Sequence, residues 1–202
     1  MVRIPWAPAY PVSTARLDLR PHRLDDLDDL VVYHSDPEVV RYIPWPARTR
    51  EQTAAALDAR TRQGSVFEPG QWLVLAIVLR GGGSSAERPD RVIGEVLLKY
   101  DSETDARGEL GYALAADVAG QGFGTEAAEA VLALAFEQFG LHRVVANLDA
   151  RNDASARLLR RLGMRQEAHH LRASWFKGEW TDDLVFAITR DEWRAEHIPE
   201  AL

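Results

Sequence analysis

The segment Gly120-Gln121-Gly122-Phe123-Gly124-Thr125-Glu126-Ala127 sets glycines at alternate positions where an extended run gives way to a helical one. Glycine takes backbone angles that other residues avoid and lets a ligand come close to the main chain. The N–H groups at a helix start carry partial positive charge and hold phosphate oxygens. The segment therefore reads as a cradle for a pyrophosphate. A glycine-rich turn without a ligand is the other reading, and the pattern alone leaves both open. Spacing removes two rivals. A dinucleotide fingerprint needs a glycine where Thr125 stands, and a P-loop needs Gly-Lys-Ser/Thr, whereas the chain's lysines are Lys99 and Lys177. What is left suits a diphosphate that is held and not transferred, as in a nucleotide-containing carrier such as coenzyme A.

Several other chemistries fail on composition. With no cysteine, disulfides and a catalytic thiol are ruled out, which fits a cytoplasmic home. The six histidines show no metal-ligand spacing, and adjacent His169 and His170 would point to opposite faces of a strand, so no metal is expected. A serine hydrolase reading lacks the G-x-S-x-G elbow. The net charge of −7 argues against nonspecific nucleic-acid binding. It suits cationic substrates or plain solubility. No apolar run reaches membrane-spanning length, the longest lying near Trp72–Leu79, and the N-terminus lacks the apolar core of a signal peptide.

The elements that must position the cradle follow from periodicity. At 202 residues the chain is expected to form one domain over 1–202. Ala15–Pro21 reads as a strand. Leu24, Leu27, Leu30 and Val31 recur at helical spacing, with Asp25, Asp26, Asp28 and Asp29 assigned to a solvated face. Asp36-Pro37-Glu38 starts a short helix that Pro44-Trp45-Pro46 ends, and Arg50–Gln63 makes a third. Gln71–Leu79 and Val92–Tyr100 read as paired strands joined by a Gly/Ser connection over Arg80–Asp90. A strand Glu109–Ala115, a buried helix Thr125–Phe139, a strand Arg143–Asp149, a helix Ala154–Leu162 and two strands, Arg165–Leu171 and Thr181–Thr189, complete the order. Helices both interrupt and follow a run of antiparallel-type strands, so the class is α+β.

That order, with its motifs, resembles the GCN5-related N-acetyltransferase (GNAT) superfamily, in the branch that includes RimJ and RimL. The resemblance runs over Thr14–Pro21, His34–Val39, Ile93-Gly94-Glu95-Val96, Glu109–Leu114, the glycine cradle, Leu141–Val144, Arg151–Ser155, Leu162-Gly163-Met164 and Lys177–Asp182. It implies a central, mostly antiparallel sheet of about seven strands with a V-shaped splay between the fourth and fifth. It also implies acetyl-CoA as co-substrate and an amine acceptor, either a peptide N-terminus or a small molecule; a homodimer stays open. The pantetheine arm would lie along Gly111–Ala115, with Leu114 and Ala115 in contact. The pyrophosphate would meet Gly120, Gln121, Gly122, Phe123, Gly124 and Thr125, and Asn152 would touch the cofactor. Asn152 is also an ordinary helix cap.

The chain departs from the family pattern in places. Ala119 stands where Arg or Gln is frequent, and Leu159 where a tyrosine often protonates the leaving thiolate. Ser155 is the available hydroxyl, as acid or as a plain first-turn serine. Ser174 stands where RimL-like members place a glutamate base, so Glu109, Glu95 or a water chain is left for that role. Tyr42, Trp45, Trp72 and Tyr112 are expected to wall the acceptor site or to pack in the core. The functions implied are acetyl transfer to an amine, transfer of another acyl group such as succinyl, or acyl-CoA binding without turnover.

Overall fold

The computed structural model describes residues 2–83 and 89–197. Ser84, Ser85, Ala86, Glu87 and Arg88 of the expected Gly/Ser connection lie outside the described residues. The strands are β1 (Val12–Ser13), β2 (Leu17–Arg20), β3 (Trp72–Leu79), β4 (Arg91–Ser102), β5 (Arg107–Leu114), β6 (Arg143–Asp149), β7 (Arg165–Phe176) and β8 (Glu179–Thr189). They form one eight-stranded sheet in the order β1-β2-β3-β4-β5-β6-β8-β7. Every neighbouring pair is antiparallel except β5 and β6. The short β1 adds a strand to the expected seven, so the fourth and fifth strands of the sequence reading are β5 and β6 here.

The helices are α1 (Leu27–His34), α2 (Arg50–Arg60), α3 (Phe123–Ala133), α4 (Asp153–Arg161) and α5 (Arg190–His197). Side chains alternate across a strand, and this sorts the helices onto two faces. Glu95, the register partner of Ala113, is ion-paired to Arg60 of α2. Tyr112 and Leu114, on the opposite face from Ala113, meet Ser155 of α4 and the backbone of Gly124 in α3. The α3 helix buries Ala127, Ala128, Val131 and Leu132 in the core, as its nearly all-round apolar sequence requires. It then loosens into a π-turn over Leu134–Gln138 before Gly140, at φ +75°, stops the chain. The α5 helix was not foreseen. It is anchored by buried Trp193, whose ring lies 5.7 Å from Phe136.

The aspartate face of α1 is not wholly solvated. Asp26 is buried, and Arg20 of β2 grips its two oxygens at 2.8 and 2.6 Å. Burial alone would raise the Asp26 pKa, but the Arg20 hydrogen bond and charge hold it below the usual carboxylate range. Among the described residues no helix is long and apolar enough to cross a membrane.

Candidate functional site

Strands β5 and β6 pair over three rungs only: Arg107 with Arg143, Gly108 with Val144 and Glu109 with Val145. Beyond Glu109 they part. The outer edge of β5 from Leu110 to Leu114 is left unpaired by β6, while its inner edge stays bonded to β4. A cleft of about 890 Å³ opens there, roofed by the first turns of α3 and α4. Its size is that of an ordinary small-molecule or cofactor site. An unpaired strand edge can take a ligand as an added strand.

The cradle forms the floor of one end. Gly120 and Gly122 sit at φ +76° and +85°, conformations in which any other residue is strained. Gly122 is the N-cap of α3, and no side chain caps that helix. Its first N–H groups therefore lack the partner a capping residue would supply. The Thr125 hydroxyl is buried with no hydrogen-bond partner. An orphaned buried hydroxyl beside an uncapped helix start fits phosphate oxygens. Gly124 serves a different need. A Cβ there would come within 2.9 Å of Leu158 Cδ1 and 3.2 Å of Leu114 Cδ1, so the glycine lets α3 pack closely.

The loop is held from a distance. Glu126 accepts hydrogen bonds from the Thr14 hydroxyl at 2.6 Å, the Arg16 amide at 2.8 Å and Arg16 Nε at 2.7 Å. Arg16 also donates to the Gln121 carbonyl at 3.0 Å and lies 4.2 Å over the Phe123 ring. Burial would raise the Glu126 pKa, but these hydrogen bonds hold it below the usual range, so it stays ionised. Sequence reasoning noted the Thr14–Pro21 motif but gave Arg16 no role, because its partner lies far along the chain. Arg157 and Arg161 of α4 were also missed. They line the cleft with exposed guanidiniums that form no ion pair among the described residues.

At the junction of β6 and α4, Asn152 lines the cleft, and its Oδ1 accepts from Ser155 N at 3.1 Å. The cap reading and the cleft reading hold together; any hydrogen bond Asn152 gives to a ligand must come from Nδ2. Ser155 also lines the cleft, and its Oγ is 2.6 Å from the Tyr112 hydroxyl. Burial pushes the Tyr112 phenol up to about 12, against the opposing Ser155 hydrogen bond and the Arg161 charge.

The other end of the cleft is bounded by Glu38, Val39, Tyr42 and Ile43. The β7–β8 hairpin reaches across to this segment, where Lys177 Nζ donates to the Val40 carbonyl at 2.6 Å.

Of the residues expected at the site, Leu114, Ala115, Gly120, Gly122, Phe123, Gly124, Thr125, Asn152, Ser155, Tyr42 and Tyr112 line one cleft. Gln121, Glu109, Trp45 and Trp72 do not. The Gln121 side chain folds back onto the Asp117 carbonyl at 3.2 Å. Trp45 packs under Arg48, whose guanidinium lies 4.4 Å from its ring. Trp72 pairs with Lys99, which pairs with Glu109, so it stands on the rung below the splay. Glu109 is on the last paired rung and takes a hydrogen bond from Asn147 Nδ2 at 3.2 Å. Glu95 is no base. It is 1% exposed, and Arg60 binds both its oxygens at 2.9 and 3.0 Å. Burial would raise its pKa, but His22 and the Arg60 charge drive it down to about 2. Ser174 donates instead to Asp183 of β8. No group of three His, Asp or Glu side chains among the described residues is placed to hold a metal ion.

This architecture is shared. The family model of the acetyltransferase (GNAT) domain matches residues 16–165. The uncharacterized N-acetyltransferase YnaD of Bacillus subtilis is 28% identical over 183 residues, spanning 90% of this chain and 98% of its own. A solved structure from T. thermophilus, described as an acetyltransferase, superposes with a TM-score of 0.76 at 28% identity over 94% of both chains. RimL, a ribosomal-protein alpha-N-acetyltransferase solved with coenzyme A, shares the fold, with a TM-score of 0.73 at 18% identity over 91% of this chain and 98% of its own. The chain belongs to the GNAT family of N-acetyltransferases.

Proposed function

We propose that this chain works as a single cytoplasmic domain that moves the acetyl group of acetyl-CoA directly to a primary amine, on a peptide N-terminus or a small molecule. The observation that carries this reading is the unpaired edge of β5 beyond Glu109, leading from the glycine cradle to the segment Glu38–Ile43. A carrier laid along that edge would have its diphosphate at Gly120–Thr125 and its thioester near Ser155. The first N–H groups of α3 and the Thr125 hydroxyl would receive the diphosphate. Arg157 and Arg161 would meet further phosphate charge at the cleft edge. Bound acetyl-CoA supplies an activated thioester. The chain supplies alignment of a neutral amine entering past Tyr42, and main-chain N–H groups of β5 for the oxyanion.

The test has two parts. Calorimetry should register acetyl-CoA binding. Free thiol should then appear when an amine panel is added that includes ribosomal-protein N-terminal peptides and polyamines. Absence of binding would end the cofactor reading. Binding without thiol release across the panel would favour a second reading, an acyl-CoA-binding module without turnover. That reading draws on two observations: Leu159 stands where the family often has a phenol, and Glu95 is sequestered. Release with succinyl-CoA but not acetyl-CoA would change the acyl group and leave the rest standing.

A further inference from the structure

Either oxygen of the Tyr112–Ser155 contact could donate by geometry, and acidity gives it a preferred direction. The phenol is the stronger acid of the two hydroxyls and so the better donor. Its other acceptor, the Ser155 carbonyl, is distant at 3.4 Å, whereas Ser155 Oγ is at 2.6 Å. Among the described residues Ser155 Oγ has no other partner. If Tyr112 donates, the Ser155 oxygen accepts, and its own proton is left to point elsewhere. Ser155 lines the cleft, held there by the Asn152 cap on its amide. Tyr112 is fixed on β5, on the face that meets α4, and its ring is half-buried.

We propose that Tyr112 is a positioning residue that turns the Ser155 hydroxyl into a one-way hydrogen-bond donor aimed at the sulfur leaving the thioester. The inference rests on the acetyl-CoA reading of the cleft. No proton changes hands in it. A thiol is a stronger acid than a serine hydroxyl, and burial pushes the Tyr112 phenol up as well, so a departing thiolate is too weak a base to strip Ser155 or this buried tyrosine. What the pair offers is a fixed dipole where negative charge develops, which costs no reorganisation at the moment of C–S cleavage. Leu159 on α4 supplies no hydroxyl; Tyr112 brings a phenol to the same part of the cleft from the strand opposite.

The test uses the full chain with coenzyme A itself, whose thiolate absorbs in the ultraviolet. In the wild type the bound thiol should titrate below free coenzyme A. Tyr112→Phe keeps the ring and its packing but frees the Ser155 hydroxyl to rotate. It should raise the bound thiol pKa by about one unit, the size of one net hydrogen bond. Ser155→Ala should raise it equally, and the double variant no further, because the two act as one unit. With an accepted amine, Tyr112→Phe should lower kcat about tenfold and leave the KM for acetyl-CoA unchanged. A role in packing alone would move neither the titration nor the kcat–KM split. A bound thiol that titrates identically in wild type and Tyr112→Phe would overturn the proposal while leaving cofactor binding intact. Failure of wild type to bind coenzyme A would overturn both, and calorimetry separates the two failures.

Discussion

Asn147 Nδ2, two residues past the last rung that joins β5 to β6, donates at 3.2 Å to Oε1 of Glu109 on that rung. The pair sits where the sheet begins to open. Asn147 lines the cleft and Glu109 does not, so this hydrogen bond links Glu109 to the cleft wall. Glu109→Gln keeps an oxygen for that hydrogen bond. Its turnover should stay within about threefold of wild type, measured with the chemical step limiting. A loss in the range of about 10²–10⁴ would make Glu109 the general base after all.

Thr125→Val removes a hydroxyl that is buried without a partner. Valine fills nearly the same space, and deleting an unsatisfied polar group costs little or stabilises. The ligand-free melting temperature should therefore hold or rise. The rise produced by acetyl-CoA should shrink, because a hydroxyl waiting for phosphate oxygens has gone. An unchanged ligand-induced shift would place the phosphates away from Thr125.

Between β4 and helices α1 and α2 lies a buried polar cluster with its own pH signature. His34 is 2% exposed, and neither ring nitrogen has a hydrogen-bond partner. Burial drops its pKa from 6.5 to about 4, opposed by Glu95 and reinforced by Arg48, Arg60 and His22. The folded value is depressed, so the unfolded chain binds the proton more readily. The stability His34 contributes is complete above about 6.5 and is lost as pH falls toward about 4. Glu95, at about 2 in the fold, loses its contribution only at lower pH, between its ordinary 4.5 and that value. Between pH 7 and pH 5 the wild type should lose about 2 kcal/mol through His34. His34→Gln should flatten that interval in denaturant titrations. An equal slope in both proteins would mean the imidazole is not the group titrating.

The line between what the sequence made legible and what it did not follows the range of the interactions. The strand expected over Glu109–Ala115 and found over Arg107–Leu114, the glycine turn into α3 and the Asn152 cap follow local patterns in glycine placement and capping. Asp26 is different. Helical periodicity put it on the solvent side of α1, but Arg20 of β2 reaches over and draws it in, a pairing no local pattern encodes. Arg16 is tied to Glu126 across the molecule. Tyr112 and Ser155 meet only because β5 and α4 are brought face to face. Trp45 and Trp72 are expected at the acceptor wall or in the core because large apolar side chains need cover. Arg48 and Lys99 supply neighbours elsewhere, at 4.4 and 5.9 Å from the rings.

The cradle itself can be challenged at Gly122. Its φ of +85° strains any L-residue, most of all a β-branched one, and a Cβ there would approach Arg16 Nη2 at 3.3 Å. Gly122→Val should therefore destabilise the fold by about 1–3 kcal/mol, so its effect on affinity has to be read on folded protein. Gly120 provides the control. It has φ +76°, with nothing within 4 Å of an added Cβ. Gly120→Ala carries a comparable backbone cost without disturbing Arg16. If the diphosphate sits against this loop, both variants should bind acetyl-CoA at least about tenfold more weakly than wild type by calorimetry, in excess of any change in the folded fraction. Should Gly120→Ala bind as wild type while Gly122→Val does not, the damage runs through Arg16 and Glu126, and the phosphates lie at the α3 N-terminus alone. Should both bind as wild type, the loop is a turn and no cradle.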